Sequence, residues 1–358
     1  MSHYDNNNNE INDKRLQKEF IGFSFSQFKK TEVKKQMQKS ILEGKVETAN
    51  YWCVELLCAG HFLDIWEIII FIMGKHIHYG NPKLPIYIDL RLENFRDTVL
   101  NGYIEKEIVM RNNIKIRELF SEIISILCFS QKKHSYDTIK IKKCDYNLTE
   151  INYRLRADNI SYSTLVFKST DPKELFIAYN EFMYCIDKKG NNMANACYWM
   201  EWIAEYESIC KKQKESCLCE RRSFVPVDEK KQMDIIWMIW EGIIHEGMKR
   251  TKLISKIINS LLNIFTIRYT NGVKKKRRYI MYFAIALLTE NINMDINIHN
   301  NDNILKGIKK NIYKIYKQVK ENEIKPDTDY LFNGMKEKTS IEKTMVKIEL
   351  MNKINKFK

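Results

Sequence analysis

Only five prolines and twelve glycines punctuate 358 residues. A fold of many short strands needs a turn-former at nearly every reversal, so this chain is better suited to long helices with few breaks. The apolar spacing agrees. From Ser26 to Glu43, Phe28, Val33, Met37 and Ile41 fall on neighbouring turns, and Gly44 stops the run. Glu47-Thr48 opens a second helix through Tyr51, Trp52, Leu56 and Leu57 to Ala59-Gly60. A third starts after His61 and carries Leu63, Trp66, Ile69, Ile70 and Met73 before Gly80-Asn81-Pro82. Helix, glycine, helix, glycine, helix predicts an antiparallel bundle.

The same pattern predicts helices over 86–100 and 114–129, completing an N-terminal helical lobe at 26–130 behind a polar, disordered tail at 1–25. Residues 131–170 change to lysines and alternating segments and read as an irregular linker that could carry one hairpin. Asp171-Pro172 opens a C-terminal lobe, 171–290, with helices near 172–188, 192–213, 228–247, 250–268 and 275–290. An Asn-rich loop at 291–303 leads into a basic helical extension, 291–358, with helices near 304–321 and 339–356. The expected class is all-α: two antiparallel helical-bundle lobes and a linker. A degenerate repeat relates the lobes. Ile41, Gly44 and Ala49-Asn50-Tyr51-Trp52 match Ile186, Gly190 and Ala196-Cys197-Tyr198-Trp199, although Glu55 lies three residues past its Trp and Glu201 only two.

Fifty-nine Lys plus Arg against forty-five Asp plus Glu give a net charge of +14. A polyanionic partner would account for that excess, as would the codon bias that fills a chain with Lys, Asn and Ile. The densest run is Lys274, Lys275, Lys276, Arg277 and Arg278, placed at a helix start where the macrodipole opposes cations. Phosphates would explain it, as would an import receptor. Lys211, Lys212 and Lys214 precede, and Arg221 and Arg222 follow, a loop bearing Cys217 and Cys219. Lys309, Lys310, Lys314, Lys317 and Lys320 line a late helix. The candidate nucleic-acid contacts are Lys274, Lys275, Lys276, Arg277, Arg278, Lys211, Lys212, Arg221 and Arg222.

Catalytic chemistry finds less support. Cys210, Cys217 and Cys219 offer thiolates at close range but lack the second pair that structural zinc requires, so no metal is expected. His76 and His78 fit a helix C-cap. Trp52, Trp66, Trp199, Trp202, Trp237 and Trp240 lie on apolar helical faces and read as core before base-stacking platforms. Glu55, Glu67, Glu201, Glu205 and Glu241 have no nucleophile, metal set or phosphate loop beside them, and no enzyme or cofactor is expected. Nine cysteines, mostly within apolar helical runs, fit reduced thiols inside a cell. The N-terminus has no apolar signal region. The longest apolar run, Ile65 to Gly74, is interrupted by Glu67 and falls short of the roughly 20 residues a membrane span needs.

The segment Lys39-Ser40-Ile41, Gly44, Ala49-x-Tyr51-Trp52, Ala59-Gly60 and Pro82 resembles the C-terminal helical collar of clamp-loader-type AAA+ ATPases of the Mgs/Rar type. The family's spacing from Trp to the Ala-Gly turn is kept. Its acidic pair before the later glycine is replaced by Lys75 and His76, and Gly80 to Pro82 is shorter. Residues 39–85 carry the likeness. Too little chain precedes them for an ATPase core, and no G-x-x-x-x-G-K-[ST] motif occurs, so the resemblance implies a scaffold without a motor. With its two Tyr-Trp segments and its EWIAEYE and IIWMIWE helices, the whole chain also resembles a helical family of nucleocytoplasmic large DNA viruses that brings no activity with it. The expectation is a non-enzymatic accessory protein of viral DNA replication or transcription. It would bind DNA or RNA without reading sequence, and other viral proteins or its own copies through the lobes. It would lie in the host cytoplasm, a viral factory or the nucleus. The alternative is a virion structural or assembly scaffold with no affinity for nucleic acid.

Overall fold

In a computed structural model, residues 9–104, 106–298 and 302–324 are described. Thirteen α-helices and no β-strand occur among them. Five form the N-terminal half: α1 (Lys30–Leu42), α2 (Val46–Cys58), α3 (Phe62–Phe71), α4 (Leu84–Leu100) and α5 (Ile114–Phe129). Gly44 and Gly60 take φ of +72° and +78° at the two tight turns, a conformation that costs a side chain and suits glycine. The third helix changes form after Phe71. It widens into a π-helical turn, Ile72–Ile77, and ends at His78. At α5 the Asn113 side chain accepts the Ile116 amide at 3.2 Å, and Ile116, Phe120, Ile123, Ile124 and Leu127 are buried.

The second half holds α6 (Leu148–Arg154), α7 (Phe176–Ile186), α8 (Met193–Gln213), α9 (Ile236–Met248), α10 (Lys252–Thr266), α11 (Asn271–Lys276), α12 (Arg278–Thr289) and α13 (Asp302–Lys320). Asn192, Thr251 and Thr270 cap α8, α10 and α11 through side-chain oxygens. The two Ala-x-Tyr-Trp segments lie in helical hairpins, α1–α2 and α7–α8. Their tryptophans sit differently: Trp52 is half-buried against Phe28 and Tyr51, whereas Trp199 is buried beside Tyr198 and Trp202.

The two halves share a core. One hydrophobic cluster runs from Ile11 to Val319, because α10 packs on α4, α12 covers the π-helical turn, and α13 returns to α2 and α5. Ile312, Ile315, Tyr316 and Val319 give α13 a continuous apolar face, and the Arg117 guanidinium stands 3.9 Å from the Tyr316 ring centroid. The helix expected near 339–356 lies outside the described residues.

Two segments depart from the sequence reading. Residues 9–25, expected to be disordered, bury Ile11, Phe20 and Phe25. Arg15 stacks over both phenylalanine rings, pairs with Asp13, and donates to the Phe25 and Asn322 carbonyls. Asp13 in turn accepts the Ile324 amide at 2.9 Å, which straps the start of the chain to the end of α13. Three well-spaced apolar residues and one planar cation suffice to dock a segment with no helical period of its own. In the linker, the expected hairpin is replaced by a 3-10 turn, Lys143–Tyr146, and by α6. Its polar backbone finds carboxylate and indole partners instead of a second strand. Glu181 accepts the Arg156 and Ala157 amides, and the Trp202 indole donates to the Asp145 carbonyl at 2.9 Å.

Candidate nucleic-acid interface

The basic run splits into three internal and two external cations. A break at Arg277 (φ −103°, ψ 14°) separates α11 from α12, so Lys274, Lys275 and Lys276 occupy the last turn of a short helix, where the dipole favours them. Lys274 is 2% exposed. Its Nζ donates to Glu207 Oε2 at 2.5 Å and to both Asp234 oxygens at 2.7 and 2.8 Å. Tyr269 donates its hydroxyl to the same Asp234 at 2.6 Å, and burial, with Asp234 beside it, holds that phenol far above its ordinary range.

Arg277 is also buried. One guanidinium nitrogen donates to the Ile264, Phe265 and Ile267 carbonyls, closing the C-terminus of α10. Arg278 is half-buried and pairs with Glu201 on α8, which also accepts the Tyr282 hydroxyl. These three expected phosphate contacts are corrected: carboxylates and carbonyls inside the fold already hold Lys274, Arg277 and Arg278. Lys275 and Lys276 are exposed.

The other candidates divide in the same way. Arg222 is wholly buried, forking onto Asp171 at 2.6 and 2.7 Å and reaching Glu241 at 2.8 Å, so it too is withdrawn from any ligand. Arg221 is exposed but tied to Gln232 and Glu229. Lys211 and Lys212 are exposed at the end of α8, the first bonded to Glu207 and the second 3.9 Å from Glu205. Lys214 caps α8 in a left-handed conformation.

Glu207 is the joint that sequence reasoning missed. Its two carboxylate oxygens take Lys211 on α8 and Lys274 on α11, tying two lysine segments 63 positions apart to one side chain. Lys211, Lys212, Lys214, Lys275 and Lys276 are exposed on the two segments that Glu207 joins. On α13, Lys314 and Lys317 are exposed, but that helix packs on α2 and α5.

No group of three or more metal-ligating side chains assembles among the described residues. Cys219 donates its thiol to the Met233 and Asp234 carbonyls, and burial, reinforced by Cys210, pushes the Cys217 thiol up to about 12. The six tryptophans contribute to the core, with Trp199, Trp237 and Trp240 no more than 1% exposed. Glu55 is buried and accepts from the Ser24 and Ser26 hydroxyls. No helix of the described residues is long and apolar enough to cross a membrane.

Comparison with known proteins supplies no relative: no protein-family model, no curated protein and no solved structure matches the chain. The collar and viral resemblances therefore rest on the sequence motifs alone.

Proposed function

We propose that this chain is a non-enzymatic accessory protein that binds nucleic acid through phosphates, using the lysine patch around Glu207. The observation that carries the reading is the shared Glu207 carboxylate, which ties Lys211 at the end of α8 to Lys274 on α11, next in the chain to the exposed Lys275 and Lys276. Buried ion pairs beneath the patch fix the two helix ends, so the exposed ammonium groups need little ordering to meet a backbone. Lysine points, without a forked guanidinium aimed at a base edge, suit sequence-independent contact. The viral setting is supported by the resemblance described above.

The test is a salt titration of binding to duplex and single-stranded DNA and RNA between about 50 and 200 mM. Each neutralised phosphate contributes about 0.9 to the logarithmic slope on duplex, so Lys275→Ala/Lys276→Ala is expected to flatten it by about two units. As exposed substitutions, they should shift stability by less than about 0.5 kcal/mol. An unchanged slope sinks the assignment of this patch.

Wild-type protein that ignores nucleic acid at the low-salt end would favour a second reading, a protein scaffold in an assembly or virion. Leu148, Tyr153, Ile160 and Leu165 support that reading: all four are more than 60% exposed in the segment between α5 and α7.

A further inference from the structure

A cavity of about 500 Å³ opens between the start of α3, the end of α4 and the turn after α10. Its size falls in the range of small-molecule sites, about 300–1,000 Å³. Phe62, Trp66, Leu92, Phe95 and Met110 wall it, each at most 8% exposed, with Val99 towards the rim. Three polar features break this apolar lining.

The first is Trp66 itself. It is 3% exposed, and its indole Nε1 has no hydrogen-bond partner. That N–H is closed off from solvent, so Trp66 gives the cavity the rest of its ring while the N–H reports on changes in the wall. The second is a pair of cations at the mouth. Arg96 and Arg268 both line the cavity, both are exposed, and neither makes a hydrogen bond or ion pair among the described residues. The acid in the same wall, Asp64, is already matched by Lys30 at 3.1 Å and Lys34 at 2.5 Å. The mouth is therefore net positive.

The third feature is how Arg268 is held. Its φ is +45°, a conformation that strains any residue with a side chain. The turn is locked on both sides. Arg277 binds the Ile264, Phe265 and Ile267 carbonyls before it, and Tyr269 is anchored after it by Asp234. Part of the buried basic run thus builds the turn that sets Arg268 at the cavity mouth.

We infer that this cavity is a binding site for a small amphipathic anion, with an apolar chain or ring system inside and a carboxylate-like head held by Arg96 and Arg268. The site is separate from the lysine patch, and its occupancy does not depend on the nucleic-acid reading.

Decanoate is the probe, with decanol as its neutral counterpart, each displacing anilinonaphthalene sulfonate from the full-length chain. The indole N–H resonance of Trp66, assigned by its disappearance in Trp66→Phe, reports entry. Decanoate is expected to bind at one site per chain and to shift that resonance. Arg96→Ala/Arg268→Gly should weaken decanoate at least about tenfold and leave decanol unchanged. Glycine suits the +45° backbone and both residues are exposed, so this variant keeps its fold. Val99→Trp, which fills the mouth, should weaken both probes. A silent Trp66 resonance overturns the site. Decanoate affinity that survives both variants means surface adsorption and overturns it as well. Equal losses of decanoate and decanol in the arginine variant overturn the anionic head.

Discussion

Lys274→Met is expected to destabilise the protein by about 3–5 kcal/mol, measured by chemical denaturation, although Lys274 stands in the most basic stretch of the chain. Its ammonium is the counter-charge for Glu207 and Asp234, and all three side chains are less than 10% exposed. Removing it leaves two carboxylates in a low-dielectric site, facing each other with Tyr269, Lys211 and the Ile236 amide to compensate. The triple variant Lys274→Met/Glu207→Gln/Asp234→Asn should recover part of the loss, since it removes both unpaired charges. Replacing the whole run, 274–278, by alanine would mix this collapse with any loss of phosphate contacts. Only Lys275 and Lys276 separate the two effects. A Lys274→Met protein within about 0.5 kcal/mol of wild type would show that the cage is solvated and return Lys274 to the list of ligand contacts.

That division explains what the sequence could and could not convey. Helix positions were legible because a 3.6-residue period is a local signal: α5 was expected over 114–129 and spans Ile114–Phe129, and the glycine turns at Gly44 and Gly60 fall where the pattern breaks. The fate of a charge is not local. Lys274 finds its acids 67 and 40 positions away, and Arg222 finds Asp171 at 51. Five adjacent cations look alike until the break at Arg277 sends neighbours to opposite environments.

A signal was nonetheless present. Glu201 and Glu207 lie on a helix with Trp199, Trp202 and Ile203, where a carboxylate requires a cation, and the densest surplus of cations in the chain is the 274–278 run. The docked N-terminal segment was hidden for a related reason. Ile11, Phe20 and Phe25 have no period, and only the Asp13–Arg15 pair and the far end of α13 make them a structural element. The apolar cavity was equally out of reach, since its walls come from elements between Gln17 and Arg268 that share no motif.

Acid should weaken the fold well before the carboxylates titrate, and His78 is the reason. Its ring is fully buried, stacked 4.6 Å from the Phe283 centroid, with no partner on either nitrogen. Burial, with a smaller contribution from His134, lowers its pKa from 6.5 to about 3. Below pH 6.5 the unfolded chain takes up a proton that the folded chain refuses. The stability present above that pH is therefore lost as pH falls, by up to about 1.4 kcal/mol per pH unit until the folded value is reached. His76, lowered to about 4 by burial and by His134, acts in the same direction. His78→Phe keeps the stack on Phe283 and removes the titrating group, so its stability between pH 6 and 4.5 should fall less steeply than that of wild type. Denaturation midpoints measured across that range decide the matter: parallel pH profiles for the two proteins would mean that His78 is protonated or solvated in the folded state. Because this ring ends the π-helical turn against α12, the acid-weakened contact joins the N-terminal helices to the C-terminal ones. Amide exchange in Ile72–Ile77 and in α12 should accelerate first as the pH drops.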